Sequence, residues 1–261
     1  MKPDYKNWMP KGMVLSFAAG AVVCLIGTVA SAIWMPQGWL KTLTVIILAA
    51  AAVVLCGAAV WCFCLYRAFS YNGKRRLSKT IIEGTAGYIR LPDGGKCLDV
   101  GCGSGALTIA AAKRFPKASF VGIDRWGKEY SSFSKSLCES NAKAEGVMNV
   151  SFLRGDALRL DFADGTFDAV TSNYVYHNIP SSDRQAILLE TLRTLKKGGS
   201  FAIHDIFSKT KYGDMDAFVK KLRDMGYRQA ELIGTADGKW IGKREAAFMG
   251  LSGSALLYGI K

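Results

Sequence analysis

Three glycines at alternate positions, Gly101, Gly103 and Gly105, stand between the apolar run Leu98-Asp99-Val100 and the helix-forming run Ala106-Leu107-Thr108. Glycine accepts positive φ and lets a ligand come against the main chain, while the start of a helix offers unpaired N–H groups. A strand, glycine turn and helix in that order can therefore cradle a nucleotide-like ligand. Gly101, Gly103 and Ala106, with Asp124 about 20 residues on, also fit a dinucleotide-binding turn in which the acid holds a ribose. A P-loop is excluded, because no Lys followed by Ser or Thr comes after the last glycine. The chain's two histidines, His177 and His204, are its candidate imidazole bases.

These groups need a scaffold, and the pattern around them supplies one. Short apolar runs at 96–100, 120–123, 150–153, 167–172 and 200–203 read as strands. Helical stretches fall at 78–90, 106–114, 128–145, 183–195 and 214–225, and 230–233 with 255–260 read as a closing strand pair. Strands alternating with helices specify an α/β fold with a doubly wound, mainly parallel sheet, here of seven strands.

Five segments occur in a telling order: Leu98-Asp99-Val100-Gly101-Cys102-Gly103-Ser104-Gly105, Gly122-Ile123-Asp124, Gly155-Asp156-Ala157, Phe167 to Asn173 followed by Tyr176-His177-Asn178-Ile179, and Leu195-Lys196-Lys197-Gly198-Gly199-Ser200. From about Ile82 to Lys261 the chain resembles the class I S-adenosylmethionine-dependent methyltransferases, in their small-molecule branch. The resemblance implies a Rossmann-like methyltransferase fold with S-adenosylmethionine as cofactor. It sets Asp99 beside the methionine moiety as a turn-organising acid and Gly101, Gly103 and Gly105 against the cofactor. It gives Asp124 the ribose hydroxyls and Asp156, with Ala157 beside it, the adenine amino group. Arg125 and Trp126 follow the ribose acid, with Trp126 packing either on adenine or within the domain. An acid at a strand end can also simply cap the next helix. The family's sheet order makes the fourth and fifth strands neighbours. His177, after the fourth, and His204, ending the fifth, would then both face the cleft as base or substrate ligand. Asn173, Tyr174, Tyr176 and Asp205 complete the expected pocket rim, Asn173 also on the cofactor side. The chain lacks an Asn/Asp-Pro-Pro-Tyr element, which argues against amino-methyltransferases acting on nucleic-acid bases or protein amides.

Ahead of this domain the composition changes. Residues 13–35 and 42–66 carry no charge, and each run is long enough as a helix to cross a ~30 Å hydrocarbon core at ~1.5 Å per residue. Pro36 to Lys41 turns the chain between them. Lys2, Lys6 and Lys11 flank the first run and Arg67, Lys74, Arg75, Arg76 and Lys79 the second, while the turn has only Lys41. By the positive-inside rule both termini and the catalytic domain are expected in the cytosol. Residues 1–77 thus read as a two-span membrane anchor with a basic juxtamembrane linker, and 78–261 as the methyltransferase domain. Ala30-Ser31-Ala32 resembles a signal-peptide cleavage site, but the apolar run is longer than the usual 7 to 15 residues of such signals. Of the net charge of +13, +7 lies in residues 1–77, so the excess per residue is concentrated beside the apolar runs, where it faces lipid headgroups, and no basic run with interleaved aromatics in the catalytic half points to nucleic acid. The seven cysteines show neither zinc spacing nor a disulfide framework, so no metal site is expected. A catalytic domain tethered at a bilayer meets lipids at high effective concentration. A lipid, a prenylated quinol or another membrane-associated small molecule is the expected acceptor. The alternative is a membrane-tethered S-adenosylmethionine-binding sensor or scaffold without turnover.

Overall fold

The computed structural model describes residues 2–127 and 132–261. The chain divides into two compact units, Asn7–Ser78, and Met1–Lys6 together with Lys79–Lys261.

The first unit is an antiparallel hairpin of α1 (Lys11–Trp34) and α2 (Trp39–Phe69), both long and apolar enough to cross a membrane. Each helix runs beyond its uncharged stretch, taking in Lys11 at one end and Arg67 at the other. Basic side chains suit such ends, because their stems lie along apolar surface while the charge reaches water. Two glycines let the helices approach. A Cβ on Gly20 would meet Leu55 Cδ1 at 3.2 Å and one on Gly27 would meet Leu48 Cδ1 at 3.2 Å, so rising numbers on α1 meet falling numbers on α2. The outward face carries Val22, Val23, Ile26, Val53 and Val54, all exposed.

The second unit is a seven-stranded sheet with the order β3-β2-β1-β4-β5-β7-β6. Its strands are β1 (Lys96–Val100), β2 (Ser119–Asp124), β3 (Val150–Arg154), β4 (Phe167–Asn173), β5 (Leu195–Ile206), β6 (Gln229–Gly234) and β7 (Ser254–Ile260). The first five are parallel, and β7 inserts antiparallel between β5 and β6. The helices are α3 (Leu77–Ala86), α4 (Ala106–Arg114), α5 (Lys135–Ala144), α6 (Arg184–Arg193), α7 (Lys209–Tyr212), α8 (Met215–Asp224) and α9 (Lys243–Met249). Leu98, Val100, Phe201 and Ile203 are fully buried, as expected of central strands covered on both faces.

Several boundaries differ from the sequence reading for local reasons. Helix α5 starts at Lys135 because Ser134 caps it, its hydroxyl accepting from Leu137 N–H at 3.1 Å; residues 128–131 of the expected helix lie outside the described residues. Strand β5 runs on to Ile206, because β7 pairs with it as far as Ser254. Residues Met1–Lys6, expected within the anchor, group with the α/β unit: Asp4 N–H donates to Asn141 Oδ1 at 2.7 Å and the Tyr5 hydroxyl to Glu145 Oε1 at 3.1 Å.

Candidate active site

Strand order reverses between β1 and β4, and ligands in open α/β sheets lie in the crevice beyond the strand ends at such a point. The glycine turn leaves β1 and the segment 174–179 leaves β4, so both border that crevice. Gly101 takes φ +73°, and a Cβ there would lie 2.3 Å from Val175 Cγ2, so the β4 exit loop closes directly on the turn. Gly103 takes φ +56°, and its missing Cβ would meet nothing nearer than Phe133 at 3.9 Å. Among the described residues a Cβ at Gly103 would thus meet only the Phe133 ring, at van der Waals distance and without a clash. Gly105 is the left-handed residue at the start of α4.

Asp99 organises this turn from beneath. It is buried, and it accepts from the Thr108 hydroxyl at 2.6 Å and the Thr171 hydroxyl at 2.9 Å, tying β1 to α4 and β4. Burial outweighs these hydroxyls and pushes its pKa up to about 7. It is burial, at 1% exposure, that keeps both oxygens turned to the protein.

Asp124, at the end of β2, accepts from Gly103 N–H at 2.9 Å and from Trp126 N–H at 2.7 Å, one on each carboxylate oxygen. A carboxylate has about four acceptor sites, so capacity remains for two ribose hydroxyls. Trp126 sits at φ +44°, uncommon outside glycine, with its indole N–H donating to Gly103 O at 3.0 Å. Such a conformation costs of order 1–3 kcal/mol and persists where the surroundings over-determine it; here two hydrogen bonds do. The indole thus lies against the glycine turn. At the end of β3, Asp156 is 44% exposed, accepts from Leu158 N–H, and faces Arg125 Nε at 3.9 Å. Ala157 beside it is buried. This set fits an adenosyl group: two carboxylates with acceptor capacity at neighbouring strand ends, beside a glycine turn held in place by Asp124 and the Trp126 indole.

The two histidines have different fates. His177 lies in a single 3-10 turn, Tyr176–Asn178, with its side chain 14% exposed. Its Nδ1 is 2.5 Å from Asp205 Oδ1, and a carboxylate only accepts, so the proton sits on Nδ1 and Nε2 is left as the acceptor. Nε2 makes no hydrogen bond among the described residues. Asp205 is completely buried and also accepts from the N–H groups of Ile206, Tyr176 and His177. Successive strand residues point to opposite faces, so Asp205 meets His177 while His204 turns the other way. His204 is fully buried between the rings of Tyr174 and Trp240. Its Nδ1 bonds Asn173 Oδ1 and its Nε2 bonds the Thr235 hydroxyl, each at 2.9 Å. Burial lowers its pKa to about 3. The expectation that both imidazoles face the cleft is corrected here: His204 is a neutral core histidine with both ring nitrogens engaged. It holds Asn173 through the amide oxygen, and no hydrogen bond engages the Asn173 N–H groups among the described residues.

Sequence reasoning set Asp205 on the rim but missed its partnership with His177, which strand alternation from His204 would have signalled. Tyr174, set on the rim as well, takes φ +54°, with its ring edge-on to both histidines and its hydroxyl meeting Ser254. Two cavities of about 240 and 500 Å³ lie at the opposite, strand-start edge, near Arg90 and Ser200 and near Lys96 and Ser119, away from these groups.

Residues 97–199 match a family described as a methyltransferase domain. Among curated proteins, the demethylmenaquinone methyltransferase of Bacillus subtilis (strain 168) is 31% identical over 134 residues, covering 51% of this chain and 55% of the relative. That of Staphylococcus aureus (strain Newman) is 39% identical over 108 residues, 41% of either chain. The chain thus spans about half the length of the curated relatives it matches. Among solved structures, a geranyl diphosphate C-methyltransferase from Streptomyces coelicolor A3(2) superposes with a TM-score of 0.55 at 15% identity, covering 75% of this chain and 83% of the other. The [4+2]-cyclase SpnF superposes at 0.52 and 19% identity, covering 72% and 82%. These two likenesses concern the fold, which evidently hosts more than one chemistry.

Proposed function

We propose, from the premise that the α/β unit is a class I S-adenosylmethionine-dependent methyltransferase domain, that this chain is a membrane-anchored enzyme methylating a membrane-resident quinol. The observation that carries the reading is the His177–Asp205 pair beside the glycine turn and Asp124 at one switch point. Likeness to demethylmenaquinone methyltransferases favours a quinol over other lipids. The apolar outer faces of α1 and α2 favour a bilayer around the anchor.

In this reading Asp124 accepts the ribose hydroxyls and Asp156 the adenine amino group, while the main chain at Gly101 to Gly105 lies along the amino-acid portion. S-adenosylmethionine supplies an electrophilic methyl on a sulfonium. Much of the rate comes from holding the acceptor in line with that methyl. His177 Nε2 takes the proton of the acceptor's hydroxyl, making the oxygen and the conjugated ring carbon nucleophilic. Asp205 fixes the Nδ1–H tautomer and balances the charge of the imidazolium. As the methyl–sulfur bond breaks and the methyl–carbon bond forms, that ring carbon gives up its own hydrogen as a proton. One proton returns to the oxygen to restore the hydroxyl, the other passes through Nε2 to water, and the overall reaction releases one proton.

Basic flanks support a cytosolic location for both termini and the domain, and the bonds from Asp4 and Tyr5 to the α/β unit support one side of the membrane for both. The test is mass spectrometry of a reduced membrane-lipid extract after incubation with the full chain in nanodiscs and isotopically labelled methyl donor. Label in a quinol fraction is expected. Cofactor binding without label transfer would favour a sensor, and label in protein or water-soluble products would place the acceptor elsewhere.

A further inference from the structure

We infer that the main chain at Asp4 and Tyr5 is a working part of the cofactor cradle, and that Asn141 joins it to the glycine turn so that docking of this segment and cofactor binding reinforce each other. The inference rests on the glycine turn being the cofactor site.

Helix α5 presents Cys138 and Asn141, three residues apart and so on one face, to the turn. Cys138 Sγ–H donates to Gly103 O at 3.2 Å and Asn141 Nδ2 donates to Ser104 O at 3.0 Å. A carboxamide has two N–H donors and an accepting oxygen, and here all three are used. The second N–H donates to Asp4 O at 3.0 Å, and Oδ1 accepts from Asp4 N–H at 2.7 Å. Asn141 therefore pairs with one residue's main chain at the N-terminus as a strand neighbour would, while holding the turn's carbonyl with its remaining hydrogen. It is only 2% exposed, so an unpaired amide here would be costly.

The segment is fastened on its other side as well. Tyr5 is buried and its hydroxyl donates to Glu145 Oε1, just past the end of α5; Glu145 also pairs with Lys113 on α4. Asp4 folds its carboxylate back onto Lys6 N–H and Nζ, and these bonds hold its pKa below the usual carboxylate value. Gly103 and Ser104 are the two turn residues whose carbonyls α5 holds. When the segment undocks, Asn141 loses the two bonds to Asp4 that orient its amide and keeps only the one to the Ser104 carbonyl, which is then held less firmly. Thermodynamic linkage makes the effect mutual: what stabilises the turn for the cofactor also holds the segment.

The full chain in nanodiscs is titrated with S-adenosylhomocysteine by calorimetry, beside Tyr5→Ala and a deletion of residues 2–5, neither of which alters a side chain of the turn. Hydrogen exchange of the peptide covering residues 2–8 is followed with and without S-adenosylhomocysteine. The deletion removes the two Asp4–Asn141 bonds and the Tyr5–Glu145 bond and predicts roughly tenfold weaker binding; Tyr5→Ala removes only the last of these and predicts a smaller loss of about two- to fivefold, and exchange at Asp4 and Tyr5 is expected to slow in the liganded wild type. Asn141→Asp is expected to lose at least as much affinity. Variants that melt lower yet bind as tightly as wild type, or exchange unaffected by ligand, would overturn the coupling while leaving the cofactor site standing. A wild-type chain that does not bind S-adenosylhomocysteine would overturn both.

Discussion

Replacing Asp205 by Asn removes one charge and almost no volume, and the four donors around the carboxylate dictate the consequences. Oδ1 accepts from Ile206 N–H at 2.6 Å and from His177 Nδ1 at 2.5 Å, and Oδ2 accepts from the N–H groups of Tyr176 at 2.9 Å and His177 at 3.3 Å. An amide has one oxygen, so its NH2 must face one of these pairs. Facing Oδ2's partners, it strands two buried N–H groups at about 1–3 kcal/mol each. Facing the imidazole, it forces Nδ1 to accept, which puts the ring proton on Nε2 and leaves no base toward the acceptor. In both orientations the imidazolium loses its counter-charge. Asp205→Asn is therefore expected to slow methyl transfer by about 10² to 10⁴-fold, or roughly 3–5.5 kcal/mol of barrier. Asp205 lies on β5, not among the partners of Asp124 or the glycine turn, so affinity for S-adenosylhomocysteine should change little. Single-turnover transfer at saturating S-adenosylmethionine, alongside calorimetric titration, separates the two quantities. A rate within about fivefold of wild type in a folded variant would refute the base assignment.

Gly103→Val puts a β-branched side chain at φ +56° in the turn, and Asp124→Ala removes the ribose acceptor; each should weaken S-adenosylhomocysteine binding severely in calorimetry. Asp99, with its pKa raised to about 7, binds a proton in the folded state that the unfolded chain has released, so wild-type stability should fall as pH rises from about 4 to about 7. Asp99→Asn should abolish that slope in denaturant titrations. His204, with its pKa lowered to about 3, acts in the other direction, and its contribution is lost as pH falls from about 6.5 to 3. His204→Gln should lower stability yet keep methyl transfer within a few-fold of wild type, unlike any change at His177. For topology, a cysteine at Gln37 should react with an impermeant maleimide outside intact cells, and one at Met148, 95% exposed on the α/β unit, should not.

The seven strands were legible because each parallel strand is an apolar run bounded by turn residues. The positions of Asp99, the glycines, Asp124 and Asp156 at or just past strand ends were legible because the apolar runs that precede them mark where each strand stops. What escaped the sequence depends on parity and on distant main chain. One residue of alternation on β5 decides that Asp205 and not His204 meets His177, and the strand's extension to Ile206, which sets that alternation, comes from pairing with β7 some 50 residues later. The docking of Asp4 on Asn141 spans 137 residues and uses Asp4's main-chain N–H and carbonyl, which every residue type but proline offers alike. The clash that demands glycine at position 101 comes from Val175 on another strand's exit loop.

The most direct measurement uses the full chain in nanodiscs with isotopically labelled S-adenosylmethionine and a prenylated naphthoquinone lacking a ring methyl, supplied either reduced or oxidised. A hydroxyl proton exists only in the reduced form, so label should enter the quinol, not the quinone, and His177→Ala should suppress it. Equal labelling of both forms, or none while S-adenosylhomocysteine still binds, would contradict the assignment of His177 and Asp205 as the base that prepares a membrane quinol for methylation.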